Sequence, residues 1–168
     1  MHHVVSSLAL AVILSTAARA EFRAQADDFR CLQEWTKVPG KTFYVFNPNS
    51  KRLQKALRIA TRDIPRKRYP VGTILQFFPR EAMVKRGGRF NRAGHGWEFF
   101  RLSVSPGGTE IVQRGAADVA NNIGSCQGCH AAAAKFDLVC EGHGVAALNL
   151  PDSIIRLLQQ DPRCATPP

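Results

Sequence analysis

"GWEFFRLSVSPGGTEIVQRG", residues 96–115, sets two runs rich in aromatic and β-branched residues on either side of Pro106-Gly107-Gly108. Such a pattern predicts a β-hairpin: residues 96–104 run up, the Pro-Gly-Gly turns, and 109–113 return. A mid-chain hairpin argues against a helical bundle. Working outward, "TILQFF" (73–78) and "EAMVKR" (81–86) are strand candidates, followed by a glycine turn at Gly87-Gly88. "KTFYVFNPNS" (41–50) predicts a strand and a turn.

Helical signals flank this strand-rich centre. Phe29, Leu32, Trp35 and Val38 recur at helical spacing and predict a short helix over 26–38. Ser50 is the expected cap of a helix reaching about Asp63, with Leu53, Ala56, Leu57 and Ala60 on one face and Pro65 as its stop. Residues 117–135 read as a helix or helical turn, and 151–162 as a short closing helix. Strands in the middle and helices at both ends predict an α+β fold built on a mainly antiparallel sheet.

The first twenty residues read as a secretory signal. An apolar run ends in Ala18-Arg19-Ala20, a small-x-small cleavage pattern, although no Lys or Arg precedes it. The run is short for a membrane span, and an uncleaved anchor helix is the alternative. Cleavage after Ala20 leaves residues 21–168 as a single domain. Twenty-two basic residues then face 13 acidic ones, a net charge of about +9. The basic residues are scattered, and no nucleic-acid motif accompanies them. They read first as a solvated surface, and functionally as a docking face for an acidic partner protein or anionic lipid.

All five cysteines follow the signal. Cys31, Cys140 and Cys164 lie outside the one Cys-x-x-Cys, and in an oxidising compartment two of them would form a disulfide. The expected pair is Cys31 or Cys140 with Cys164, which leaves one free thiol.

"GSCQGCHAAAAKFDLVC" (124–140) carries the chemistry. A zinc site would need two further ligands, for which Cys140 and His143 could serve in principle. A redox dithiol would place its Cys-x-x-Cys at a strand-to-helix junction, usually without an adjacent histidine. Cys126-Gln-Gly-Cys129-His130 is the c-type haem attachment pattern. Cysteines three apart on a helical turn face the same way, each able to form a thioether with a haem vinyl group, and His130 supplies a neutral imidazole to the iron. Ala131–Ala134 suit close packing against a flat macrocycle, and equally suit a helix. The sixth iron position decides function. Met83 reads as core, and His95 and His143 as loop residues, so an open position is the leading expectation.

"YPVGTILQFF", "EAMVKRGGRF", "GWEFFRL" and "CQGCHAAAAKFDLV", in that order over residues 69–139, resemble the cytochrome P460 family, which includes the β-sheet cytochromes c-prime. The resemblance implies a periplasmic monohaem protein with one haem c, often a homodimer, with an open distal face. It carries the thioether roles to Cys126 and Cys129 and the proximal role to His130. Two positions depart from the pattern of the hydroxylamine-oxidising members: Phe77 stands where their lysine cross-links to the haem, and Ala132 where they place a distal carboxylate. Neither side chain can do that chemistry. If the strand keeps its register, Phe77 caps the distal pocket, as in the β-sheet cytochromes c-prime, and favours neutral diatomics such as nitric oxide; the alternative is that Phe77 is ordinary sheet core. Periplasmic electron transfer and a P460-like oxidoreductase acting on hydroxylamine are the alternatives. No catalytic residue is assigned.

Overall fold

The computed structural model describes residues 21–87, 89–141 and 150–164, so the expected signal segment and His143 lie outside the described residues. The 96–115 hairpin forms the end of a longer meander. Its strands β1 (Thr36–Lys37), β2 (Tyr44–Phe46), β3 (Ile74–Gln76), β4 (Glu81–Lys85), β5 (Trp97–Ser105) and β6 (Gly108–Gly115) lie side by side in chain order. Every neighbouring pair is antiparallel. Helices α1 (Ser50–Arg62), α2 (Cys126–His130) and α3 (Asp152–Leu158) complete an α+β architecture. None of the described helices is long and apolar enough to cross a membrane.

Directly paired residues share a face of an antiparallel sheet. Val45, Leu75, Met83 and Phe99 therefore form one row across β2 to β5. The Lys85–Trp97 pair lies on the same face on one side of this row, and Glu81–Arg101 on the other. α1 covers that face with Ala56, Ile59 and Ala60. The opposite face carries Ile74, Val84 and Phe100, buried beneath Phe29, Leu32 and Trp35 of the N-terminal segment. Each fully buried large apolar side chain contributes roughly 1.5–3 kcal/mol. Burial on both faces explains why β4 is apolar at successive positions instead of alternating.

Local details differ from the sequence reading. Residues 26–38 form two short 3-10 turns, Ala26–Asp28 and Leu32–Glu34, and then β1, not a continuous helix. Tertiary contacts override the helical spacing here. The Leu32 N–H donates to the Asp161 carboxylate at 2.8 Å, and Cys31 is bonded to Cys164. The cap of α1 is Asn49, whose side chain accepts from the Arg52 N–H, and Ser50 is the first helical residue. In 117–135 the helix starts only at Cys126. A small hairpin, β7 (Ala120–Asn121) with β8 (Gly124–Ser125), precedes it. Gly124 has φ +125°, a conformation open to glycine, and it redirects the chain into the helix. Of the two expected pairings the disulfide is Cys31–Cys164, while Cys140 is free, as are Cys126 and Cys129.

Candidate functional site

Ser125 starts the one-turn helix α2. Its hydroxyl accepts from the Gly128 N–H at 3.2 Å and donates to the Ala117 carbonyl at 3.1 Å. The Cys126 N–H donates to the Val119 carbonyl, which ties the turn to the chain beside the sheet. Cys126 is half-buried against the apolar cluster of the covered sheet face, and Cys129 is exposed. The His130 ring lies 5.4 Å from the Phe99 ring, measured between centroids.

The hydrogen bond of His130 fixes its tautomer. Its Nδ1 lies 2.7 Å from the Leu138 carbonyl oxygen. A carbonyl only accepts, so Nδ1 carries the proton and Nε2 keeps a free lone pair. Burial lowers the His130 pKa below its usual value, against the opposing pull of the Leu138 carbonyl and Glu81. The ring is therefore a neutral imidazole at pH 7, held by a backbone acceptor in the manner of a metal-ligating histidine.

A buried ionic cluster holds that carbonyl in place. Asp137 and Leu138 both adopt left-handed backbone conformations, with φ of 58° and 67°. Neither is glycine, so the turn needs external support. The Asp137 carboxylate is fully buried and accepts from Lys85 Nζ at 2.7 and 2.8 Å, from Arg68 Nη1 at 2.9 Å and from the Tyr69 N–H at 2.8 Å. Its backbone carbonyl accepts from Trp97 Nε1 at 2.6 Å. Lys85 Nζ also donates to the His95 carbonyl and lies 4.8 Å from the Trp97 ring centroid. Burial lowers the Lys85 pKa to about 8, although Asp137 favours the charged form.

The predicted residues divide into two groups. Phe77, just past β3, packs on the same apolar cluster as Leu75, Phe99 and Cys126. Met83 is core, as expected. Ala132 is exposed on the 3-10 segment Ala131–Phe136 and stands apart from that cluster. His95 is no free loop residue: it is partly buried, its Nδ1 faces the Arg68 guanidinium, and it lies within ion-pair range of Asp137. The sequence reading missed Lys85 and Asp137 as a site-supporting pair. The available signal was a lysine directly after the apolar run Ala82-Met83-Val84, and such a residue, once buried, requires a partner. A cavity of about 420 Å³, lined by Arg68, Tyr69, Val71, Lys85, Gly87, Arg92 and His95, opens beside this ionic cluster.

The residues present fit a covalently held haem. Cys126 and Cys129 are free and one turn apart, and His130 has an unprotonated Nε2. The Cys-x-x-Cys does follow a strand, as a redox dithiol would. However, burial raises the Cys126 pKa, the opposite of what an attacking thiolate requires. Cys140 is half-buried, and burial pushes its thiol up to about 11. Among the described residues no three His, Cys, Asp or Glu side chains are grouped to hold a metal ion. Comparison with family models, with characterised proteins and with solved structures finds no match.

Proposed function

We propose that this protein is an exported monohaem c-type cytochrome of the P460-like kind that binds a small neutral gas, nitric oxide above all. The observation that carries the reading is the His130–Leu138 hydrogen bond of 2.7 Å on the same helical turn as two free cysteines. It protonates Nδ1 and so presents Nε2 as a ligand. Cys126 and Cys129 would hold the haem through thioether bonds, and His130 would be the proximal ligand to its iron. The bound iron would supply the position at which the gas attaches.

The chain's own residues set the selectivity. Leu75, Phe77, Met83 and Phe99 pack in the apolar cluster that Cys126 borders, and would present apolar groups to a haem held there. Apolar walls exclude water and penalise anionic ligands, but admit neutral diatomics. Phe77 has no amine and Ala132 no carboxylate, so the groups that cross-link the haem and accept a proton in the hydroxylamine-oxidising relatives are missing from those positions. A second reading, electron exchange with an acidic partner, is favoured by the exposure of Cys129, which would bring the haem edge near solvent on a strongly basic protein.

Absorption and EPR spectra of the purified ferric and ferrous protein, with and without nitric oxide, separate the two readings. High-spin iron that takes up nitric oxide is expected. A low-spin, ligand-inert spectrum would overturn gas binding and leave electron transfer.

A further inference from the structure

We propose that the cavity between Arg68 and the 92–95 loop is a binding site for a small, freely exchanging oxyanion, with phosphate as its simplest representative. The inference does not rest on the haem reading. It comes from the charge and donor inventory of the cavity wall.

Arg68, Lys85 and Arg92 line the cavity, and Asp137 is the carboxylate set against them. Three cations and one anion leave an excess of about two positive charges around one concavity, where field lines concentrate. His95 adds no charge to this count. Its Nδ1 faces the Arg68 guanidinium and lies 3.5 Å from Asp137 Oδ1. Burial and the neighbouring Arg68 both lower its pKa.

The donors are unevenly used. Lys85 spends its three on the two Asp137 oxygens and the His95 carbonyl, and so contributes field, not contact. Arg68 uses Nη1 on Asp137 and the His95 ring, while its remaining N–H groups make no hydrogen bond with a described residue. The exposed Arg92 side chain makes no hydrogen bond or ion pair with any described residue. Two guanidinium groups with free donors, at the wall of a cavity of about 420 Å³ with net positive charge, match an oxyanion's need for several charge-assisted hydrogen bonds. Tyr69 and Val71 complete the lining of the cavity, which is open to solvent.

The test is calorimetric titration of the purified, processed protein with inorganic phosphate in low-salt buffer. Saturable binding that weakens with added salt is expected. Arg92→Ala should weaken it by about tenfold or more, the usual effect of losing a charge-assisted hydrogen bond. Arg58→Ala, on the exposed side of α1, should leave it unchanged. The Arg92 side chain is exposed and makes no hydrogen bond or ion pair among the described residues, so loss of fold does not confuse the result. No saturable phosphate binding, or an equal loss in Arg58→Ala, would overturn the proposal. So would a cavity already filled by an anion that does not exchange.

Discussion

Replacing Asp137 by Asn tests how the turn behind His130 is held. Asn keeps the shape of the side chain and removes its charge. In the folded protein the Asp137 carboxylate is fully buried and receives two hydrogen bonds from Lys85, one from Arg68 and one from the Tyr69 N–H. The Lys85 side chain is itself only 4 % exposed, so the substitution leaves its ammonium group buried without a counter-charge. Arg68, half in solvent, contributes little by comparison. Removing one partner of a buried pair costs about 3–5 kcal/mol. A domain of this size loses roughly 2–4 °C of Tm per kcal/mol, so a fall of roughly 6–20 °C is expected. The assay is urea or thermal unfolding of the wild type, Asp137→Asn, Lys85→Met and the double variant. Because the cost is an orphaned charge, the double variant should be more stable than Asp137→Asn alone. A loss below about 1 kcal/mol in Asp137→Asn, or purely additive losses in the double variant, would refute the reasoning.

Three further outcomes follow from the same contacts. Cys164→Ser opens the Cys31–Cys164 bridge, which spans 133 residues, and chain entropy sets its worth at up to about 5 kcal/mol; an unfolding midpoint equal to that of the wild type under oxidising conditions would contradict it. The lowered Lys85 pKa means that, above about pH 8 and up to its ordinary value of 10.5, the folded chain binds fewer protons than the unfolded one, so this group's contribution to stability rises with pH. Cys140, raised to about 11 from 9.0, acts in the opposite sense above pH 9, so unfolding should be compared at pH 8 and 9; a slope unchanged in Lys85→Met/Asp137→Asn would refute the assignment. Phe77→Ala should open the apolar sheet face and change nitric oxide association and dissociation rates, as read by stopped-flow absorption, whereas unchanged kinetics would remove Phe77 from the pocket.

The legibility of this chain follows from where its constraints are local. The β5–β6 hairpin carries its own turn, Pro106-Gly107, and its own strand-forming residues, so it could be read directly. α1 likewise ends where Asp63 turns left-handed, two residues before Pro65. Residues 26–38 were misleading because Phe29, Leu32 and Trp35 meet the sheet from short turns held by Cys164 and Asp161, residues more than a hundred positions away. The helix expected over 117–135 shortened for a local reason that was overlooked: Asn121-Asn122 and Gly124 make a hairpin turn. At the site, Cys126, Cys129 and His130 stand in a five-residue pattern and were legible. The partner that orients His130 is a backbone carbonyl and leaves no trace in residue type. The Lys85–Asp137 pair joins residues 52 positions apart, so the position of Lys85 beside an apolar run signals burial but not its partner.

The central claim is that Cys126 and Cys129 carry a haem whose iron His130 binds. The most direct measurement is the intact mass and haem absorbance of the protein exported from a host able to attach c-type haem, compared with Cys126→Ser/Cys129→Ser. The account predicts a wild-type mass one haem above that of the processed chain, a covalent haem chromophore that survives denaturation, and loss of both in the double variant. A wild-type mass equal to that of the bare processed chain would contradict it.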